Sequence, residues 1–399
     1  LSPVCEGESR HCLFLLHTNI PTHTHTHTHM DLLPVELWHH IFSFLGVQDA
    51  CRQWRVSWSW MRAATRGVRV LDAALGPAIL TTSQGASTLD CMLLHWFHSV
   101  DVFVLEGGDT ELCASVLRAQ QHPHIAPMKT LRVSLGRLGH SLDLSSNPLW
   151  QQEFPALREL WLRKCNIVCV EDVVHLVARC PQLHTLNLAW NPLSTIQPLL
   201  ESCRRFPNLK CLLLGFLQLK EGVGDVGLAS RHLRACQVDS LALLGNPMSA
   251  WDFQQLLENL PSMQYLHLGF QEMDPAGLEV LCSGLESGQL RVQQLNLQQC
   301  GFSREDLVDV LDSSASNPFL RELHMESNAY SVHSKEEIQE ILDALKMLPH
   351  TIQAVTMDTP DVPSGNGEHL SQVLVELEVL LAAKQAKYSS HSTTVEPRP

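Results

Sequence analysis

The residues of this sequence that suggest chemistry most directly are three glycines in a fingerprint spacing. Gly222, Gly224 and Gly227 form GxGxxG, a spacing that lets a backbone approach the pyrophosphate of a dinucleotide. That role also needs a strand directly before the first glycine and an acidic residue about twenty positions later. Residues 219–221 intervene here, and the next predicted strand begins near Val238. We interpret the glycines as a flexible turn.

The 13 cysteines show no metal-binding or nucleophile pattern. None forms a CxxC pair, the closest two being Cys165 and Cys169, and no histidine cluster completes a zinc set. HExxH, GxSxG and Walker patterns are also missing from the sequence. We predict reduced thiols, no metal, no cofactor and no catalysis by this chain.

Composition is that of an ordinary globular protein, with 399 residues, 45% of them hydrophobic and 18% charged. The net charge of -14 argues against a nucleic-acid or anionic-membrane surface, because both need a concentration of lysine and arginine. No apolar run approaches the roughly 20 residues that span a bilayer. We therefore expect a protein partner and a cytoplasmic or nuclear location.

Thr and His alternate from Thr22 to His29, directly before Met30. A CA-dinucleotide tract read in codons produces this alternation. We expect residues 1–29 to be untranslated sequence read through, or disordered, with Met30 as the working start. The alternative is a histidine-rich metal-binding tract.

A leucine pattern, L-x-x-L-x-L-x-x-(N/C)-x-L, recurs along most of the chain. Its starts lie 25 to 32 residues apart, which leaves room for a helix after each short strand. Five clear copies begin at Leu157, Leu183, Val238, Val292 and Leu320, and five weaker ones at Val100, Met128, Leu209, Met263 and Ile352. Residues 142–149 offer a competing register, so the assignment over 128–150 stays open.

Helices are predicted between the copies, where apolar residues recur at i, i+3, i+4 and i+7. Capping signals mark where several of them begin. These are Ser249 with Asp252, Asp274 before Pro275, Ser303 with Asp306, and Ser334 with Glu337. Strand and helix therefore alternate, as in an α/β protein.

The repeat resembles the long leucine-rich repeats of the ribonuclease-inhibitor type, mixed with the cysteine-containing type common in F-box proteins. The resemblance implies a horseshoe solenoid of about ten repeats over residues 100–362, with parallel strands on the concave face and helices on the convex face. It also implies one slot per repeat that bonds backbone groups after the strand. This slot holds Asn191, Asn246 and Asn328, is filled by Cys165 and Cys300, and is interrupted at Leu217 and Gln271.

A separate helical module is predicted near the start of the chain. Pro34 suits the first turn of a helix, and Leu37, Ile41, Phe44 and Leu45 fall on one face. Further helices are predicted after Asp49, which can act as a cap, and over residues 56–64. A unit of about thirty residues cannot bury its own apolar faces well, so it needs a partner.

The module resembles the F-box over residues 33–64, with Leu-Pro, a Glu two positions later, an Ile-Phe-Ser-x-Leu run and a later Val-Ser-x-x-Trp. The resemblance implies a three-helix domain that docks onto the Skp adaptor and, through it, onto cullin and RING subunits. The implied adaptor-binding residues are Leu33, Pro34, Glu36, Ile41, Phe42, Leu45, Val56 and Trp60. Cys51, Trp54 and Trp58 depart from the family pattern, and a register ending at Trp54 would delete the second helix. The alternative is an amphipathic helical cap on the solenoid.

Period-two alternation along the strands turns the leucines inward and the residues between them outward. The outward set contains Leu213, Leu244 and six residues that we predict to bind substrate, because binding surfaces are enriched in aromatic groups. The six are Trp161, Trp190, Phe216, Tyr265, His267 and Phe270. In the alternative, some of these rings pack sideways on neighbouring strands or under a loop.

The predicted organisation has six segments: 1–29, the F-box at 30–64, a linker with a first capping helix at 65–99, the repeats at 100–362, a C-terminal capping helix at 363–387, and a disordered tail at 388–399. The resemblance implies the substrate-recognition subunit of a Skp-cullin-F-box (SCF) ubiquitin ligase, which recruits a target protein for ubiquitination and proteasomal degradation. The alternative is a leucine-rich-repeat scaffold or inhibitor with no ubiquitin role.

Overall fold

The computed structural model describes residues 70–72, 100–106, 110–135, 141–219, 225–328, 330–360 and 375–383. The segments predicted at 1–29, 30–64 and 388–399 lie outside these residues, as does most of the segment predicted at 65–99. Over the described part, no helix is long and apolar enough to cross a membrane.

The strands of the described residues form one parallel sheet whose spatial order follows the chain order. They are β1 (Val70–Asp72), β2 (Val102–Glu106), β3 (Thr130–Ser134), β4 (Glu159–Arg163), β5 (Thr185–Asn187), β6 (Cys211–Leu213), β7 (Ser240–Ala242), β8 (Met263–His267), β9 (Val292–Asn296), β10 (Glu322–His324) and β11 (Ala354–Thr356). The ten repeats predicted from the leucine pattern each contain one of β2 to β11. The sheet also begins one strand earlier, because Val70 to Asp72 pair in register with Val102 to Val104.

A helix follows most strands and returns the chain for the next one. The helices are α1 (Thr110–Ala119), α2 (Val170–Val177), α3 (Gln197–Ser202), α4 (Asp225–Ser230), α5 (Ala250–Asn259), α6 (Pro275–Glu286), α7 (Arg304–Ala315) and α8 (Lys335–Met347). The predicted caps are present: α5, α7 and α8 begin with reciprocal capping boxes, and Asp274 accepts a hydrogen bond from the N–H of Gly277. Consecutive helices from α2 to α8 contact each other on the convex side.

The core lies between sheet and helices and is continuous along the solenoid. The inward strand leucines, such as Leu160, Leu186 and Leu295, are buried, and so are Leu256, Leu281 and other apolar residues of the helices. Each repeat buries its leucines against the next one, which explains why the pattern must recur to be stable. This architecture confirms the α/β solenoid predicted from the sequence.

Residues 141–151 form an inserted loop rather than a strand. A 3-10 helix spans Pro148–Gln151, with Asn147 capping it by accepting from the N–H of Leu149. Leu142, Leu144 and Trp150 are buried, so they anchor the loop on the core. The competing register at 142–149 therefore arises from loop anchors, and β3 holds the repeat.

Residues 375–383 form a helix beside the last repeat. Leu377 and Leu381, one turn apart, are buried in the common core. Glu376 forms an ion pair with Lys346 of α8, with the Nζ and Oε1 atoms 2.7 Å apart. This helix covers apolar surface that the final repeat would otherwise expose.

Candidate functional site

In the turn after each of seven consecutive strands, β4 to β10, one residue has a left-handed backbone. These residues and their φ angles are Lys164 (51°), Trp190 (64°), Phe216 (53°), Gly245 (65°), Phe270 (59°), Gln299 (52°) and Ser327 (60°). Each of the first six donates its backbone N–H to a backbone carbonyl of the next repeat, at 2.7 to 3.2 Å. The accepting residue directly precedes the left-handed residue of that repeat. The backbone ladder thus fixes this conformation.

Three of these left-handed positions hold aromatic residues: Trp190, Phe216 and Phe270. A side chain in this conformation costs about 1 to 2 kcal/mol, and bulky residues are uncommon there. The glycine at 245 meets the same backbone requirement without that cost. Folding alone therefore does not account for rings at the other three positions.

The rings form one contiguous group across four repeats. Trp190 and Phe216 stack with centroids 4.1 Å apart and planes at 16°, and Phe216 meets Phe270 edge-on at 5.6 Å. Phe216 reaches Phe270 because its ring lies over Gly245, where a Cβ atom would overlap it. Lys164 places its Nζ 5.1 Å from the centre of the Trp190 ring. We call Trp190, Phe216, Tyr265, His267 and Phe270 the aromatic cluster.

The cluster turns onto the concave strand face through His267 and Tyr265. The His267 ring is 6.1 Å from Phe270 and 6.0 Å from Tyr265, whose hydroxyl lies 3.3 Å from Nδ1 of the histidine. Burial, reinforced by nearby His324 and opposed by Glu326, lowers the pKa of His267 from 6.5 to about 4. The imidazole is therefore neutral at pH 7, and its buried Nε2 has no hydrogen-bond partner.

Trp161 faces the same side of the sheet but stands apart from the cluster. It shares a row with Arg132, Asn187 and, further along, His267. The Arg132 guanidinium lies 4.3 Å from the Trp161 ring centre and pairs with Glu159 at 3.1 Å. This tryptophan is thus covered by a cation, which makes it a weaker candidate for an apolar anchor.

Leu213 and Leu244 contribute less surface than alternation predicts. Leu213 lies in the row of Trp161 and His267, yet only 6% of it is exposed. Leu244 is half-buried and packs over Gly215, where a Cβ atom would overlap its side chain. Trp190, at 44% exposure, is the most accessible of the six predicted substrate-binding residues. Part of this surface therefore fits the alternative interpretation, in which side chains pack sideways on neighbouring strands.

Opposite charges flank the cluster along the solenoid. Arg163 and Lys164 lie on the side of the earlier repeats, and Glu326 and Asp358 on the side of the later ones. Glu326 accepts a hydrogen bond from Gln298 Nε2 at 2.9 Å, and Asp358 accepts one from the backbone N–H of Ser327. The site consists of an apolar centre between a basic and an acidic rim.

The asparagine slot rigidifies the turns that carry the cluster. Asn191 accepts from the N–H groups of Cys165 and Ile167, at 3.1 Å each, and donates to the carbonyls of Leu162 and Leu188. Asn246 and Asn328 bond equivalent groups, whereas Cys165 and Cys300 fill the slot with thiols near backbone carbonyls. At the interruption, Gln271 still donates to the Leu268 carbonyl. The predicted ladder is therefore present.

Strand alternation does not identify two features of the site, the placement of Lys164 beside the Trp190 ring and the glycine at 245. Both occupy the left-handed position, which alternation within the strand does not cover. Aligning the copies on the residue before the Asn or Cys slot would have placed Lys164, Trp190, Phe216, Gly245 and Phe270 in one column. Aromatic residues fill three of the five positions in that column, and this recurrence is the sequence feature that predicts the cluster.

The chain is similar to a known domain family and to known leucine-rich-repeat proteins. The F-box-like family model matches residues 30–69. The chain is 28% identical across 206 residues to the NACHT, LRR and PYD domains-containing protein 12 of Mus musculus, and the match covers 47% of this chain and 17% of that protein. It is 26% identical across 161 residues to the ribonuclease inhibitor of Mus musculus, covering 38% and 34%.

The chain joins an F-box-like segment to leucine-rich repeats. Both resemblances drawn from the sequence are thereby confirmed, although the residues predicted to bind the adaptor, from Leu33 to Trp60, lie outside the described structure. The chain spans between 17% and 34% of the length of these two relatives. A solved structure from Bacteroides fragilis also matches, with a TM-score of 0.33 and 12% identity over 48% of this chain and 64% of that one. At that score the match does not bear on the fold.

Proposed function

We propose that this chain is the substrate-recognition subunit of an SCF ubiquitin ligase, holding the Skp adaptor through its F-box-like segment and a target protein through the aromatic cluster. The chain itself performs no bond chemistry in this role. It raises the concentration of the target near a charged ubiquitin-conjugating enzyme, and proximity supplies the rate enhancement. The target is then ubiquitinated and degraded by the proteasome.

The observation that carries the target-binding part is the placement of three rings at left-handed positions. Strain of this kind persists where the surrounding structure enforces it, and it concentrates at functional sites. Aromatic residues dominate the energetics of protein interfaces, and polar rims orient the partner. The basic rim at Arg163 and Lys164 and the acidic rim at Glu326 and Asp358 fit that division.

The observation that carries the ligase part is the F-box-like match at residues 30–69. Adaptor docking through such a segment depends on a few apolar anchors, and losing one costs about 2 kcal/mol or more, roughly thirtyfold in affinity. Leu33, Pro34, Ile41 and Trp60 are the anchors that the motif supplies.

Copurification tests the adaptor role. Pro34→Ala with Ile41→Ala should abolish recovery of the Skp adaptor and cullin while leaving the circular dichroism of the full chain unchanged. His39→Ala with His40→Ala is the matched control, because these histidines are predicted to lie on the polar side of the same helix. Adaptor recovery by the double variant at wild-type strength would refute the ligase role.

The second candidate function is an interaction scaffold or inhibitor without a ubiquitin role. It is favoured by the similarity of the repeats to a protein named ribonuclease inhibitor. Proximity labelling with and without proteasome inhibition separates the two. Targets of a ligase receptor accumulate near the chain when the proteasome is blocked, whereas partners of a scaffold do not change.

A further inference from the structure

Five arginines gather on the edge of the solenoid that lies opposite the aromatic cluster. Arg179, Arg204, Arg205, Arg231 and Arg234 all lie between the end of a helix and the start of the next strand, in three successive repeats. The cluster residues Trp190, Phe216 and Phe270 instead follow their strands, which places them at the other end of a parallel sheet. We call the five residues the arginine surface.

The members of the arginine surface are close in space. Arg204 and Arg205 belong to the 3-10 turn Cys203–Arg205, which contacts the 3-10 turn Leu233–Ala235 containing Arg234. Arg204, Arg205, Arg231 and Arg234 are exposed and Arg179 is half-buried. Their guanidinium groups therefore face solvent along one edge.

Within the described residues, no ion pair joins any of the five to a carboxylate. Arg179 donates to the carbonyl of His175 at 2.7 Å and to Oε1 of Gln151 at 2.6 Å, and Arg234 donates to the carbonyl of Glu258. These neutral acceptors hold the two guanidinium groups in place and leave their charge uncompensated.

The carboxylates nearby are engaged elsewhere. Glu201 lies 3.4 Å from Nε2 of His232 and accepts from Gln197 at 2.7 Å. The Glu258 carboxylate accepts from Gln254 at 2.6 Å and Gln255 at 3.0 Å. The positive field of the surface is thus reduced by two acidic residues and not cancelled.

Compensation of helix dipoles does not explain the surface. Cations stabilise helix C-termini, so arginines are expected after any helix of the solenoid. The longer helices α5, α6 and α7 nevertheless carry no basic residue in their last turns, and α5 and α6 place Glu258 and Glu286 there. Other helices are followed or ended by single arginines, such as Arg118, Arg291 and Arg321, whereas the five arginines of the surface lie together in three successive repeats.

A depression at the end of the surface could receive a side chain of a partner. It has a volume of about 390 Å³ and is lined by Arg234 and Arg291, together with Glu258, Ser262 and Gln289. Arg291 is held with its guanidinium 5.4 Å from the Phe319 ring centre. Two fixed cations beside one cavity favour an anionic group.

We propose that the arginine surface binds an acidic segment of a protein partner, at a site separate from the aromatic cluster and independent of the proposed ligase role. Guanidinium groups form paired, charge-assisted hydrogen bonds with carboxylates and phosphates, so either a run of Asp and Glu or a phosphorylated segment supplies the required oxygens. A short segment responds mainly to the local cations, because charges more than about 8 Å away are largely screened at physiological ionic strength. A long nucleic acid is also repelled by the net charge of -14 of the whole chain.

Fluorescence anisotropy with the full chain tests whether the arginine surface binds acidic peptides. The labelled probes are about twelve residues long: a Glu-rich peptide, the same peptide with phosphoserine in place of Glu, its Lys counterpart, and an oligothymidylate of equal length. We expect both anionic peptides to bind, the Lys peptide not to bind, and affinity to fall as salt rises from about 50 to 500 mM. The stronger of the two anionic peptides identifies the source of the oxygens.

Variants locate the binding. Arg204→Gln, Arg205→Gln and Arg234→Gln together should weaken the anionic peptides about tenfold. Arg321→Gln, Lys335→Gln and Lys346→Gln remove the same charge from later repeats and should change affinity less than about twofold. The proposal is overturned if both triple variants lose equal affinity, if no peptide binds, or if the oligothymidylate binds more tightly than the peptides.

Discussion

The ring of Phe216 lies over Gly245 of the following repeat, in the space that a side chain at residue 245 would fill. This arrangement lets Phe216 touch Trp190 on one side and Phe270 on the other, although one repeat between them contributes no ring. The glycine therefore connects the cluster, and it does so at a position where φ is 65°.

Gly245→Ala should destabilise the chain for two reasons that a control can separate. Alanine at positive φ costs about 1 to 2 kcal/mol, and the new Cβ also displaces Phe216. Gly301 has φ of 74°, and a Cβ there would meet nothing closer than 3.9 Å. In urea unfolding, Gly245→Ala should cost about 1 kcal/mol more than Gly301→Ala, and adding Phe216→Ala should remove that excess. Equal costs for the two glycine variants would contradict the packing of Phe216 over Gly245.

Asn246→Ala should lower stability more than Gln271→Ala. Asn246 is fully buried and serves the N–H of Leu217 and the carbonyls of Leu214 and Leu243, three groups that alanine would leave without partners. Each costs about 1 kcal/mol or more when buried and unpaired. Gln271 bonds only one backbone carbonyl, and its own Oε1 has no partner. Urea midpoints for the two variants test this difference, and a larger loss for Gln271→Ala would exclude it.

The features predicted correctly from the sequence are those that depend on near neighbours in the chain. The capping box of Ser249 with Asp252 involves four consecutive residues, and an Asn or Cys occupies the slot in every strong copy. Strand β1 was not predicted, since three residues are too few to show alternation and its pairing partner lies about thirty residues later. The Phe216 contact with Gly245 also depends on backbone conformation in two repeats, which alternation of side chains does not specify.

Acid should destabilise the chain in part through His267. Its folded pKa of about 4 lies below the ordinary 6.5, so the unfolded chain binds a proton first as pH falls. The stabilisation is complete above about pH 6.5 and is lost progressively towards pH 4, an effect on the order of 3 kcal/mol. Unfolding of the wild type should therefore depend on pH more steeply in this window than unfolding of His267→Gln.

His122→Gln is the matched control for this measurement, because it removes a histidine from an exposed turn outside the aromatic cluster. Carboxylate titration is common to all three proteins and cancels in the comparison. Direct observation by NMR of a His267 imidazole that protonates near pH 6.5 would show that its burial is not maintained in solution.

The final prediction concerns target binding by the aromatic cluster, and the chain offers a matched control for it. Trp190 on the cluster is 44% exposed, and Trp251 on helix α5 of the convex side is 45% exposed. Replacing either by alanine removes a similar amount of accessible indole, so a difference between the variants reports on location. Trp251 also packs on Gly227, much as Trp190 stacks on Phe216.

Trp190→Ala with Phe270→Ala should weaken target capture at least about tenfold, or 1.4 kcal/mol, while Trp251→Ala leaves capture unchanged. Stability should fall only by the lost ring contacts, about 1 kcal/mol each, because alanine keeps the Cβ atom at positive φ and a surface change in one repeat leaves the others folded. Quantitative proximity labelling measures capture, and calorimetry and Skp copurification measure integrity. If the double variant melts many degrees lower yet captures targets normally, the rings are packing groups and the target must bind elsewhere on the chain.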